Sequence, residues 1–248
     1  EANFIVNRIS DWEKQGNKRT EVAIIYRSNA QSRALEEALI SASMPYRIYG
    51  GLRFFERSEI KDALAYLRLV SHKNDDASFE RIVNKPTRGI GAKALDNIRK
   101  CAKDNNLSLW KAACFLAKND PTGTKYNKIN HFISLINRMD RETETLEIHD
   151  KIDHLINLSE LIDLYQKEKG ERGLTRIENL EELVTAAKSF DVDHEDDMTM
   201  LDAFLAHAAL ESGEEQAGAW EDCVQLMTMH SAKGLEFPLV FMCGMEDG

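Results

Sequence analysis

The sequence predicts a protein of mixed class: an α/β domain with a parallel sheet, interrupted by an inserted domain that is mostly α. Two observations support this prediction. Short apolar runs rich in branched residues, typical of buried strands, occur near both ends of the 248-residue chain. Between about residues 58 and 210, apolar residues instead recur at intervals of three and four, as on one face of a helix. The simplest interpretation is that the two ends pair in one sheet and that the helical middle is inserted between them.

The first strand is predicted over residues 21–27, which form a short apolar run. A helix should follow, because Ser28 and Gln31 stand at the spacing of a capping box and apolar residues then recur at helical spacing. A second strand over residues 46–49 is predicted to close a β-α-β unit.

The middle of the chain is expected to be all helical. Turn signals at residues 86–91, 120–123 and 170–173 divide it into about seven or eight helices. Strand character returns at residues 224–229 and 238–243, which are separated by a loop. The strands therefore bracket the helices.

Domain boundaries follow from this pattern. Residues 1–49 and 221–248 are assigned to a discontinuous α/β domain, and residues 50–220 to the inserted helical domain. We expect mobility near the two boundaries, because few contacts usually cross such connections.

Composition limits the function classes. The formal net charge of −10 argues against a surface coated with nucleic acid, so any DNA contact must be local. No apolar stretch is long enough to span a bilayer and no signal pattern opens the chain, so we expect a cytoplasmic protein without membrane contact. The four scattered cysteines are expected to be reduced thiols. Residues 191–197 are interpreted as a solvated acidic loop, since Asp196 stands where a calcium loop needs glycine; no metal site is predicted.

Four segments together carry a family resemblance. They are IYRSNAQSR at 25–33, PYRIYGGLRFFERSEIKDALAYLR at 45–68, PTRGIG at 86–91 and TMHSAKGLEFP at 228–238. In this order they resemble the UvrD/Rep/PcrA-type superfamily 1 DNA helicases, and the likeness extends from about residue 21 to the end of the chain. The resemblance implies an internal fragment: an incomplete, parallel-sheet second RecA-like motor domain, interrupted by an inserted all-helical domain with a helix-hairpin-helix-like element.

The first and fourth segments contain candidate single-strand contacts. Arg27 and Asn29 stand between a strand and a helix, where a cation and an amide suit a phosphate oxygen, although a surface arginine and a plain helix cap would look the same. His230, taken alone, could equally be a structural histidine. The resemblance implies that Arg27, Asn29 and His230, with Ser231 and Lys233, hold single-stranded DNA.

The same fourth segment contains candidate nucleotide contacts. Gly234 permits a tight turn, and Glu236 offers a carboxylate that suits a ribose hydroxyl. The resemblance implies that Gly234 and Glu236 contact the nucleotide in the intact enzyme.

The third segment contains candidate duplex contacts. Glycines on both sides of Ile90 allow close approach of another molecule, and six basic residues stand against one acid between positions 85 and 103. This pattern favours contact with a duplex backbone, although a helix–helix turn with a solvated basic face remains an alternative. The candidate residues are Thr87, Arg88, Gly89, Ile90, Gly91 and Lys93.

The sequence contains no GxxxxGK[ST] phosphate loop. The resemblance implies that ATP and Mg²⁺ act in the full-length 3′–5′ helicase, in repair and replication. Because the phosphate loop is absent, neither is expected to bind this fragment, which should not hydrolyse ATP alone. Implied partners are single-stranded and duplex DNA, the missing first motor domain in cis and possible repair proteins. Two alternatives stay open: a standalone helix-hairpin-helix DNA-binding module and a helical protein-interaction scaffold.

Overall fold

The computed structural model describes residues 1–120, 125–191, 198–213 and 221–245. The chain divides into two compact units. The first, called here the sheet unit, comprises Glu1–Arg57 and His207–Gly248, and the second, the helical unit, comprises Ser58–Ala206. The predicted acidic loop at residues 191–197 lies almost entirely outside the described residues.

The sheet unit is built on four parallel strands in the order β2-β3-β1-β4. They are β1 (Val22–Tyr26), β2 (Tyr46–Ile48), β3 (Val224–Thr228) and β4 (Leu239–Met242). Ile24 of β1 pairs with Leu226 on one side and with Phe241 on the other. The prediction that both ends of the chain share one sheet is therefore confirmed.

β1 and β2 are parallel, as the predicted β-α-β unit requires, but they are not adjacent in the sheet. β2 is parallel to β3, and β3 lies between β2 and β1. β3, from the far end of the chain, has five residues and offers β1 a longer partner than the three-residue β2 does.

Two helices belong to this unit before the chain leaves it. α2 (Ser32–Ser41) begins after a 3-10 turn at Asn29–Gln31, slightly later than predicted. α1 (Ala2–Lys14) was not predicted, although its buried Ile5 and Ile9 stand one helical turn apart. The core joins both helices to one face of the sheet, through Ile5, Ile9, Val22, Ile24, Tyr26, Leu35, Leu39, Met44, Tyr46, Ile48, Val224, Leu226 and Cys243.

Nine helices occur in the described part of residues 58–213. They are α3 (Ser58–Ser71), α4 (Asp76–Ile82), α5 (Ala92–Asn105), α6 (Leu109–Lys118), α7 (Asn127–Thr143), α8 (Ile148–Leu158), α9 (Leu161–Gln166), α10 (Glu171–Ser189) and α11 (Met200–Gly213). α3 is the central helix, since it packs on α4, α7, α8 and α10. The sequence predicted slightly fewer helices, because α4 and α9 are too short to show a full amphipathic repeat.

The limits of the two units differ from the predicted boundaries. The structure divides the chain after Arg57 and after Ala206, rather than after residues 49 and 220. Residues just beyond position 50 belong to the sheet unit because they bond to it. The amide of Phe54 donates to Glu36 Oε2 at 3.2 Å, and Arg57 Nη1 donates to the Asn29 carbonyl at 2.8 Å. Among the described residues, no helix combines the length and apolar character that crossing a membrane requires.

Glu36 is a buried carboxyl at the centre of these contacts. Its side chain accepts hydrogen bonds from Ser32 Oγ at 2.6 Å and from Tyr46 Oη at 3.3 Å, besides the amide of Phe54. Arg57 Nη2 lies 3.8 Å from Glu36 Oε1. Burial raises the pKa of Glu36 above its ordinary value, and these partners oppose the rise without cancelling it.

The raised pKa of Glu36 predicts a pH dependence of stability. The folded chain keeps this proton to higher pH than the unfolded chain does, so the contribution of Glu36 is fully present at acidic pH and declines as pH rises. We expect Glu36→Gln, which keeps an acceptor without the charge, to gain stability relative to the parent as pH rises above the ordinary pKa of a glutamate. Urea unfolding at several pH values measures this difference.

Glu178→Gln, at an exposed position, is the control for removing one negative charge. A relative stability of Glu36→Gln that falls as pH rises would contradict the burial argument.

Candidate functional site

The carboxyl-terminal edge of the sheet collects the loops that follow β1, β2 and β3. Parallel strands end at the same edge, and ligands bind there in many open α/β sheets. The amide of Met229 donates to the Tyr26 carbonyl at 3.2 Å, so the two chain segments that lead to His230 and Arg27 leave the edge side by side. A Cβ placed on Gly50, after β2, would lie 3.6 Å from Ser231 Oγ. The structure thus brings the first and fourth sequence segments together.

The turn after β1 is held through its main chain. Gln31 Oε1 accepts hydrogen bonds from the amide of Arg27 at 2.9 Å and from that of Ser28 at 3.1 Å. The Asn29 carbonyl accepts from Arg57 Nη1 at 2.8 Å and from Ser32 Oγ at 3.0 Å. The backbone is therefore fixed, while the Arg27 side chain is exposed at the edge and Asn29 is partly exposed.

The loop between β3 and β4 is a series of tight turns. Thr228 Oγ1 lies 3.0 Å from Ser231 Oγ and accepts from the Ser231 amide at 3.3 Å. Gly234 has φ +85°, in the left-handed region that favours glycine. Thr228 was not among the predicted site residues; a hydroxyl at a strand end, three residues before a serine, is the signal that could have identified it.

Solvent exposure within this loop matches a ligand-facing surface. His230, Lys233, Gly234 and Glu236 are exposed, and Ser231 is partly buried against Thr228. A histidine, a lysine and a carboxylate are thus presented on one short loop. Such a group can hold an anion at its cationic end and accept hydrogen bonds at its acidic end.

The third segment forms a hairpin between α4 and α5, defined here as residues 84–91. Asn84 Oδ1 accepts hydrogen bonds from the amide of Arg88 at 2.9 Å and from that of Ile90 at 3.2 Å. Gly89 adopts φ +70°, and Lys128 Nζ donates to its carbonyl at 3.1 Å. The hairpin is therefore closed on both sides by polar side chains.

The predicted duplex-binding residues differ in solvent exposure. Ile90 is 3% exposed and belongs to the core. Arg88 is half-buried, and its Nη1 donates to the carbonyls of Ile82 and Pro86 at 3.1 and 3.2 Å. The exposed members of the predicted set are Thr87, Gly89, Gly91 and Lys93.

The start of α5 presents backbone donors. Gly91 is the N-cap and offers no side chain to bond the first-turn amides. Lys93, Lys100 and Lys103 on the same helix are exposed. Arg99 is different, because it bonds Glu80 Oε1 at 2.6 Å and Asp96 Oδ1 at 3.0 Å. The basic face is therefore narrower than the count of basic residues indicated.

One group within the described residues has the spacing of metal ligands: Glu37, His207 and Glu211. His207 Nε2 lies 3.2 Å from Glu211 Oε1, and burial lowers the pKa of His207. Arg33 Nη1, however, bonds Glu37 Oε1 at 2.5 Å. One carboxylate thus already has a cationic partner, and each of the two printed contacts lies within a single helix, Arg33–Glu37 in α2 and His207–Glu211 in α11.

Comparison with known proteins identifies the family to which the chain belongs. The model of the UvrD-like helicase C-terminal domain family matches residues 1–248. The chain is 57% identical to DNA helicase II of Escherichia coli (strain K12), 51% identical to DNA helicase II of Haemophilus influenzae, and 38% identical to the ATP-dependent DNA helicase PcrA of Staphylococcus aureus. Each alignment covers 100% of this chain but only 34–35% of the relative. The chain therefore spans about a third of the length of the curated relatives it matches.

The two hairpin glycines make a matched pair for a test of stability. Alanine at Gly89 would be strained at φ +70°, and its Cβ would collide with Lys128 Nζ. Alanine at Gly91, at φ −78°, meets nothing within 4 Å. We expect Gly89→Ala to lose about 1–2 kcal/mol and Gly91→Ala to lose none. Thermal unfolding measures both, and equal melting temperatures for the two variants would refute the assigned hairpin conformation.

Proposed function

Because the chain belongs to the UvrD-like helicase C-terminal domain family, we propose that it is the part of an ATP-dependent 3′–5′ DNA helicase that grips single-stranded and duplex DNA. The observation that carries this proposal is the pairing of β1 with β3, which brings two distant segments to one edge of the sheet. On this proposal, residues 1–57 and 207–248 are part of the second motor domain, and residues 58–206 are the inserted domain.

The sheet unit would hold the single strand. Arg27 is exposed beside a rigid turn, and His230 and Lys233 are exposed on the neighbouring loop. A cation and hydrogen-bond donors along one edge suit successive phosphates of a strand, and charge-assisted bonds of this kind are the stronger ones. Asn29 and Ser231 would complete the contact through their amide and hydroxyl groups.

The residues of this chain fit one part of a nucleotide site. Glu236 is exposed two residues beyond Gly234 and can accept a hydrogen bond from a ribose hydroxyl. No Gly-Lys pair occurs in the sequence, so the phosphate-holding lysine and the Mg²⁺ ligands would come from the first motor domain in cis. Bound ATP with Mg²⁺ would supply the energy for translocation. Because Glu236 and His230 share one loop, nucleotide contact and strand contact would be linked through that loop.

The helical unit would hold duplex DNA through its hairpin. Gly91, where an added Cβ would meet nothing within 4 Å, lets the backbone approach a phosphate, and the uncapped start of α5 aims amides outward. Lys93 adds an exposed charge next to these amides. Contacts of this kind position a duplex without reading its sequence, as an enzyme that unwinds any DNA requires. Repair proteins would be further partners of the full-length enzyme.

The two grips can be separated by crossed charge reversals. Arg27→Glu should weaken binding of a single-stranded oligonucleotide about tenfold and leave blunt duplex binding unchanged. Lys93→Glu should do the opposite, because it lies in the other unit. Fluorescence anisotropy at low salt, with a single strand, a blunt duplex and a 3′-tailed duplex, measures the affinities.

Lys188→Glu, an exposed position on α10, makes the same charge change away from the hairpin and is the control. Equal losses for Lys93→Glu and Lys188→Glu would indicate a general charge effect instead of a site. Indifference of the parent chain to all three DNAs at low salt would favour a protein-interaction scaffold, and binding of duplex alone would favour a standalone duplex-binding module.

This chain should not hydrolyse ATP by itself. Its sequence has no phosphate loop, and so it lacks the lysine that would stabilise the charge developing on the transferred phosphoryl group. We expect the phosphate release rate, with or without single-stranded DNA, to equal that of a buffer blank. DNA-stimulated turnover by the purified chain would contradict the assignment of ATP hydrolysis to another part of the helicase.

A further inference from the structure

Arg88 stands in the most exposed part of the hairpin sequence, yet its side chain turns inward. Its Nη1 donates to the carbonyls of Ile82 and Pro86, at 3.1 and 3.2 Å, and its Nη2 donates to the Ser159 carbonyl at 3.3 Å. These carbonyls come from the end of α4, from the hairpin itself and from the residue that follows α8. One guanidinium therefore joins three separate pieces of the helical unit.

Tyr66 extends this connection into the core. Its hydroxyl accepts a hydrogen bond from Arg88 Nη2 at 2.5 Å and donates one to the Lys85 carbonyl at 2.7 Å. The guanidinium carbon also lies 5.7 Å from the centre of the Tyr66 ring and 5.6 Å from that of Phe132. Burial raises the pKa of Tyr66 to about 12, so its hydroxyl remains a donor at neutral pH.

The base of the hairpin is tied by a second set of contacts. Lys85 Nζ lies 2.5 Å from Asp62 Oδ2, and Asp62 is 1% exposed on α3. Tyr165 Oη donates to the same carboxylate oxygen at 3.1 Å. Together with Asn84, these groups fix where the hairpin leaves and re-enters the fold.

Moving Arg88 outward to a phosphate would be costly. The carbonyls of Pro86 and Ser159 and the Tyr66 hydroxyl would lose the hydrogen bonds that Arg88 donates, whereas the Ile82 carbonyl would keep the one from the Lys85 amide at 3.1 Å. A buried hydrogen bond lost without replacement costs free energy. Lys93, by contrast, is exposed, and Gly91 as the N-cap has no side chain to bond the first-turn amides of α5.

From this geometry we infer that Arg88 and Tyr66 are positioning residues. They hold the hairpin so that its main chain and Lys93 meet the duplex backbone, while Arg88 itself makes no contact with DNA. The inference rests on the proposed duplex binding. It assigns the contacts with the duplex backbone to main-chain amides of the hairpin and to Lys93.

Salt dependence of duplex binding by the 248-residue chain separates the two roles. A residue that neutralises a phosphate lowers the slope of log affinity against log salt by about one when it is removed, whereas a positioning residue changes affinity alone. We expect Arg88→Gln to weaken blunt-duplex binding about tenfold and Tyr66→Phe about fivefold, both with the parental slope. Lys93→Gln should lower the slope by about one.

Two further variants serve as controls for the comparison of salt slopes. Tyr66→Phe changes no charge, so an altered slope cannot arise from a lost DNA-binding cation. Arg88→Lys keeps the charge but loses the planar fork that reaches several acceptors, and should weaken binding like Arg88→Gln. A slope for Arg88→Gln as shallow as that of Lys93→Gln, or unchanged affinity in both Arg88 variants, would overturn the inference while leaving duplex binding itself in place.

A measurement without DNA makes the inference independent of the proposed function. Hydrogen exchange of the amides of residues 87–91 should be at least about fivefold faster in Arg88→Gln and Tyr66→Phe than in the parent, and unchanged in Lys93→Gln. Unaltered exchange in the first two variants would overturn the positioning role. Failure of the parent chain to bind any duplex would instead overturn the proposed function.

Discussion

Parallel pairing between β1 and β3 is the constraint on which the sheet unit depends. Ile24 pairs with Leu226, although a whole helical unit separates them in sequence. Since parallel strands end at one edge, this single ladder fixes where the loops after Tyr26 and Thr228 emerge. The cost of closing such a long connection grows only slowly with its length, so a folded unit can occupy the insertion without destroying the sheet.

Buried polar groups then set the local geometry in each unit. In the sheet unit, Glu36 and Arg57 bond Ser32 and the Asn29 carbonyl, which fixes the turn that presents Arg27. In the helical unit, Tyr66 bonds Arg88 and the Lys85 carbonyl, and these contacts fix the hairpin. Buried groups of this kind add little net stability, but leaving one unpaired is expensive, and so each network permits only one arrangement of its loop.

Sequence patterns predicted what depends on local periodicity and failed where long-range competition decides. The fold class and the pairing of both ends followed from apolar runs at 21–27 and 238–243. The place of β3 between β1 and β2 did not, because strand order depends on which partners bury more surface. The proximity of Arg27 and His230 was predicted only through the family resemblance. The inward orientation of Arg88 was not predicted, because the sequence does not distinguish an arginine that bonds within the fold from one that is exposed.

Because the chain has an acidic net charge, its DNA contact depends on which basic side chains are exposed and which are bonded within the fold. Counting basic residues between positions 85 and 103 assigns equal weight to Arg88, Arg99 and the lysines of α5. In the structure, Arg88 bonds carbonyls and Arg99 bonds two carboxylates, while Lys93, Lys100 and Lys103 are exposed. Far fewer counterions would then be released on duplex binding than the count implies. On the proposed function, a duplex grip of this modest strength would be broken and remade at each step of a translocating enzyme, whereas a surface using every cation would hold the DNA in place.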